Sequence, residues 1–145
     1  MASIKIATGL KTYDIEDEKG NIRGQISFNP SDINFFERAD ATRAKIAELL
    51  ENVEKVKDEV TEESDVIKYI TDTDNSIKNE INKLFDDENA STVVFGKQNC
   101  LNTLNGVTFV ERFLEAFTPI IQEAFVEEQK KMQTRVDKYT SQVRK

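Results

Sequence analysis

VTFVERFLEAFTPIIQEAF, residues Val107–Phe125, decides how the rest of the chain is read. Phe109, Phe113 and Phe117 recur every four residues. Val110, Leu114, Ile120, Ile121 and Phe125 widen them into an apolar stripe of more than about 100°, the pattern of a helix buried on one side. Four of the nine phenylalanines sit here. Burying a Phe side chain contributes roughly 1.5–3 kcal/mol, so the stripe offers on the order of 10 kcal/mol of gross stabilisation before chain entropy is subtracted. It is a core or a docking face and carries no chemistry. Pro119 removes an amide donor and clashes with the carbonyl of Glu115, at about 3 kcal/mol in a straight helix, which predicts a kink there or a restart capped by Thr118.

Two more helices are expected upstream. Asn29-Pro30-Ser31-Asp32 is a start signal, with Asn29 as cap and Pro30 at the first helical position. The three-four spacing of Ile33, Phe36, Ala39, Ile46, Leu50, Val53, Val56 and Val60 then carries a helix over 30–60, with a break allowed at Asp40 and Thr42. Thr61 or Ser64 caps a second helix over 62–87, whose Ile67, Ile70, Ile77, Ile81 and Leu84 approximate a heptad, with Asp74 where an apolar residue is due. The pair reads as an elongated, coiled-coil-like antiparallel hairpin. Residues 45–90 hold 14 acids against 6 bases, a net −8 that accounts for the chain's overall −7.

Residues 3–28 read as two or three antiparallel strands. SIKIAT alternates weakly, TYDIED places Tyr13 and Ile15 on one face, and IRGQISF does the same for Ile22, Ile26 and Phe28, with Glu18-Lys19-Gly20-Asn21 as the turn. Such a hairpin is marginal alone and must lie on the helices. Residues 88–106 are expected to be an irregular loop, broken by Gly96 and Asn105-Gly106, with Val93-Val94-Phe95 as its strand-like stretch and with Leu101 and Leu104 tucked against the core. The segment 107–142 is the kinked helix. Its end, 126–145, carries 6 bases against 3 acids, and is a helix lying on the acidic hairpin or a mobile end. The fold expected is mainly α (α+β), a single domain over 1–145.

Function classes narrow by composition. With 145 residues the chain suits one domain, and its 32% charged and 38% apolar residues suit long helices with a wet face. The net charge of −7 disfavours nucleic acid and anionic membrane as partners. No apolar run approaches the ~18 residues of a membrane span, and MASIKIATGLK lacks the apolar core of a signal peptide, so a cytoplasmic location is expected.

With no histidine and the single Cys100, most nucleophilic triads and zinc sites are excluded. Cys100 reads as a buried or incidental thiol without a local base. Asp72-Thr73-Asp74-Asn75-Ser76 opens like a calcium loop, but Ile77 stands where glycine is needed and Lys83 where the bidentate glutamate belongs, so a solvated helix face is expected. Asp14, Glu16, Asp17 and Glu18 read as a solvated turn. No catalytic residue, metal or cofactor is expected.

The order of elements resembles a known family. A hairpin ending in ISFNPSDINFFERADATRAKIAEL, acidic helices, then VVFGKQNCLNTLNG leading into VTFVERFLEAFTPIIQEAF is similar to the small tail assembly chaperones of long-tailed phages and prophages. The resemblance implies a non-enzymatic, mostly helical protein of the host cytoplasm that coats the tape measure protein before the tail tube forms. In members with a frameshifted extension, the tail tube protein is a further partner. The heptad seam would open or extend to accept a partner helix, with Phe36, Leu50, Val53, Ile70 and Ile77 as contact residues, and would also allow self-association. The alternative is a structural subunit of a phage particle or other helical assembly.

Overall fold

The computed structural model describes residues 1–143. Its order is β1 (Lys11–Glu16), β2 (Ile22–Phe28), α1 (Ile33–Glu59), α2 (Glu63–Phe85), α3 (Ala90–Phe95), β3 (Thr103–Leu104), β4 (Val107–Thr108) and α4 (Phe109–Val143). Helix covers 63% of the chain, which is the expected mainly helical α+β fold.

β1 and β2 pair antiparallel, with Tyr13 opposite Ile26 and Lys11 opposite Phe28. The turn is built on Asp17, whose Oδ1 accepts from the amides of Lys19 and Asn21, each at 2.9 Å, while Gly20 supplies the positive φ of 82°. These hydrogen bonds, that from the Asn21 amide foremost, hold the Asp17 carboxyl below its ordinary range. A register shift between Ile15 and Glu16 displaces Ile22 from the apolar face, so that Ile26 and Phe28 are buried and Ile22 is exposed. The expected third strand does not form. Residues 1–10 have no regular structure and all are exposed, the Thr8 carbonyl being held by Asn29 Nδ2 at 2.9 Å.

α1 starts later than expected, because Asp32 takes the capping role, its Oδ1 accepting from the Asn34 amide at 3.0 Å. Asn29 instead accepts from the amide and hydroxyl of Ser31. The shift puts Phe35, rather than Phe36, into the core ahead of Ala39, Thr42, Ile46 and Val53, and leaves Ile33 exposed. The helix passes through Asp40 and Thr42 unbroken for 27 residues, about 40 Å. Three residues, Val60–Glu62, reverse the chain into α2, capped at Glu62 rather than Thr61 or Ser64 and without a side-chain hydrogen bond. Phe35 near the start of α1 lies 6.0 Å from Phe85 at the end of α2, so the pair is an antiparallel hairpin. α2 ends at Asp86, in the left-handed region at φ 50°, with the amides of Asp86 and Asp87 closing on the carbonyls of Lys83 and Asn82.

Residues 88–106 are more ordered than expected. Val93-Val94-Phe95 is helical, not extended, and buries Val94 and Phe95; the Ser91 amide at its start is held by Asn82 Oδ1 at 2.8 Å. Asn105-Gly106, both at positive φ, turn the short hairpin β3–β4, which leaves Leu104 exposed. α4 is capped by Thr108, whose Oγ1 accepts from the Glu111 amide at 3.2 Å while Glu111 Oε1 accepts from the Thr108 hydroxyl at 2.8 Å, a reciprocal capping box. The helix then continues through Pro119 with no restart, for 35 residues or about 52 Å. Thr118, expected as a cap, instead accepts from Arg43 Nη1 of α1 at 3.1 Å. None of the described helices is long and apolar enough to cross a membrane.

The phenylalanine stripe of α4 splits by burial. Phe117 is 3% exposed and joins the core, whereas Phe113 is half-buried beside it, their rings stacked at 5.6 Å. Phe117→Ala should therefore cost about 3–5 kcal/mol, a large part of the roughly 5–15 kcal/mol of a whole domain, and Phe113→Ala distinctly less. Denaturant midpoints of the two variants check this, and equal midpoints would refute it.

Candidate functional site

Three places carry side chains not spent wholly on the core. The first is a groove of about 930 Å³ between the β1 side of the hairpin and the first turns of α4. Its floor is Tyr13, Ile15, Phe109, Phe113 and Ile120. Consecutive residues of β1 and its turn border it, including Asp14, Glu16, Asp17 and Glu18, so the rim carries four carboxylates against Arg23 and Arg112. Arg112 is fixed from below, with Nη1 donating to the Val107 carbonyl and its guanidinium 5.0 Å from the centre of the Phe109 ring. Asp14 accepts from Gln25 Nε2 at 2.8 Å, and burial raises the Tyr13 hydroxyl above its ordinary pKa. The acids expected to form a solvated turn thus also border an apolar channel.

The second is a buried polar knot. Asp74, the charge that interrupts the α2 heptad, is buried together with Thr73, so the solvated face expected here is confined to Asp72, Asn75 and Ser76. Asp74 Oδ1 accepts from the Cys100 amide at 2.7 Å and Oδ2 pairs with Lys78 Nζ at 2.9 Å. Lys78 Nζ also donates to the Gln98 carbonyl at 2.9 Å, and the Cys100 thiol lies 3.9 Å from the Asp74 carbonyl oxygen. The knot therefore ties the 98–100 loop to α2 and satisfies the loop's backbone groups. Burial first, then hydrogen bonding to Asp74 and its negative charge, push the Cys100 thiol far above its ordinary pKa. Cys100 is a buried thiol, as expected.

The third is the end of α4. Residues 126–139 are helical and all exposed, so this length does not lie on the acidic hairpin; of the expected 126–145 segment, residues 144–145 lie outside the described residues. From 126 to 143 it extends for about 27 Å. Met132, Val136 and Tyr139 follow Phe125 at intervals of seven, four and three residues, and Met132 and Tyr139 are 57% and 69% exposed. Lys131 pairs with Glu127 at 3.3 Å and Gln133 donates to Asp137 at 2.9 Å, local contacts that support the helix itself.

The residues expected to meet a partner lie elsewhere. Ile77 and Val53 are buried between the helices, while Leu50, Ile70 and Phe36 are half-buried, Phe36 against Phe125 at 5.5 Å. In this arrangement the hairpin seam is closed, and Ile77 and Val53 present no surface. Periodicity could not separate a seam from a core. The exposed stripe of α4 had a signal in the spacing of Met132, Val136 and Tyr139. The groove had none, since it joins residues from 13 to 120. In comparisons with known proteins the chain matches no family model, no curated protein and no solved structure.

Removing the knot's acceptor tests its role. Asp74→Ala leaves the Cys100 amide without its partner and Lys78 with the Gln98 carbonyl alone, and should cost about 1–3 kcal/mol. Cys100 should then react with a thiol reagent such as DTNB in native buffer, whereas in the unsubstituted protein it should react only on denaturation. Equal reaction rates in the two proteins would refute the role.

Proposed function

We propose that the protein is a non-catalytic assembly chaperone of the kind its sequence resembles, acting in the host cytoplasm on the tape measure protein of a long-tailed phage. The observation that carries the reading is the exposed apolar stripe on the free end of α4. A helix with apolar residues at seven, four and three on one face and charges around them is suited to pair with another helix, and a long helical partner offers such faces repeatedly. The contact surface is thus the end of α4, not the closed hairpin seam. The acidic α1–α2 hairpin adds a net negative charge that keeps a coated partner from associating with its neighbours.

Co-expression with the candidate tape measure protein is the direct test. The tape measure protein should become more soluble, and a complex should survive size-exclusion chromatography. Val136→Glu with Tyr139→Glu should abolish the complex without altering the melting temperature, since both side chains are exposed. If the partner is no more soluble and no complex forms, the chaperone reading fails. Persistence of the chain in purified particles by mass spectrometry would then favour a structural subunit.

A further inference from the structure

Two features of the fold lack a neighbour, and each has what the other needs. Residues 3–8 are unpaired although they alternate, with Ile4 and Ile6 on one side, 89% and 76% exposed, and Lys5 between them on the other. Among the described residues β1 pairs with β2 on one side only, and no turn or loop hydrogen bond engages the backbone of Lys11–Glu16. In an antiparallel pair every second residue of an outer strand turns its amide and carbonyl away from its neighbour. β1 is therefore an open edge bordering the groove. Because residues of both parities of β1 line the groove, it runs along the edge of the strand and not merely over one face.

We propose that residues 3–8 of one copy of this chain add as a third strand along β1 of a second copy, closing the groove over Phe113 and Ile120. The lengths agree, since six residues of arm span about 20 Å, as does the six-residue β1. The faces agree as well. When Ile4 and Ile6 lie on the side of Tyr13 and Ile15, above the apolar floor, Lys5 falls on the opposite side, level with Asp14 and Glu16. The arm's one charge then meets the acidic rim, and residues 1–10 contain no acid to oppose it.

The pairing is between copies because the arm is tied away from its own edge. The Thr8 carbonyl is held by Asn29, directly after β2, and the side chain of Asn29 lies against Gly9 so closely that a Cβ there would come within 2.7 Å of its Nδ2. Folding back onto its own β1 would require breaking this tie and reversing the chain over Gly9 and Leu10, the first of which is held against Asn29. The contact uses neither the stripe of α4 nor the tape measure protein, and so stands apart from the reading above.

Sedimentation velocity of the full chain over a concentration series tests the proposal. The unsubstituted protein should exceed the mass of one chain as concentration rises. Ile4→Asp with Ile6→Asp should hold it at one chain with an unchanged melting temperature, because both side chains are exposed. Lys5→Glu should weaken association about two- to fivefold, the scale of one cross-strand charge pair. Adding Asp14→Lys and Glu16→Lys to that variant should restore it, which a merely misfolded protein could not do. A single-chain mass at every concentration overturns the proposal, as does an assembly indifferent to the Ile4 and Ile6 substitutions or a charge exchange that restores nothing. An assembly lost only on Val136→Glu with Tyr139→Glu would assign the contact to the end of α4 and overturn it equally.

Discussion

Four phenylalanine rings, one each from β2, α1, α2 and α4, meet at a single point. The ring of Phe28 lies 5.2 Å from that of Phe35, 5.5 Å from Phe85 and 5.3 Å from Phe117, and Phe85 and Phe117 are 5.4 Å apart. Such pairs contribute about 0.5–1.5 kcal/mol each beyond the area they bury. Their larger effect is geometric. A two-stranded sheet is not stable alone, and here its last residue is locked among three helices, two of them distant in sequence. Phe113, stacked on Phe117, extends the cluster to the groove, and Phe95, 5.0 Å from Phe109, joins α3 to the start of α4.

Away from this junction the packing thins. The far half of the α1–α2 hairpin is held by Val53 with half-buried Val56, Val60, Val66 and Ile70, and residues 126–139 of α4 are exposed throughout. Segments with so few buried contacts open at lower free energy than a core does. The molecule thus has one consolidated end, from which a polar, strongly acidic hairpin and an amphipathic helix extend.

Much of this was legible in the sequence because long amphipathic periods are hard to mistake. α1, α2 and α4 appear where the spacing puts them, and the β1–β2 turn where Gly20 and Asn21 mark it. The departures have physical causes. Two adjacent phenylalanines and two competing caps, Asn29 and Asp32, leave the phase of α1 open by one residue, and the cap decides it for Phe35. A short apolar run such as Val93-Val94-Phe95 fits helix and strand alike, and the Ser91 amide donating to Asn82 Oδ1, a contact across nine residues, favours helix. Asp74 looked solvated because its partner, the Cys100 amide, is 26 residues away. Thr108 and Glu111, by contrast, stand at capping-box spacing in the sequence, yet the caps expected were Asn29, Thr61, Ser64 and Thr118. Of the binding surfaces, the α4 stripe is local and readable, whereas the groove exists only once distant segments have come together.

The course of α4 through Pro119 has a mechanical consequence. With no amide at that position, the carbonyl of Glu115 loses its helical donor, and both residues are exposed. The backbone is weakest where the helix leaves the junction, so its direction is set by what grips it on either side: Phe117 and Ile121 in the core, Arg43 on Thr118, and Phe36 against Phe125. Beyond that grip the helix projects for about 27 Å, a length on which each degree of tilt moves the tip by roughly half an ångström. Small adjustments among those few side chains are thereby magnified at the far end, and the core, not the helix itself, aims it.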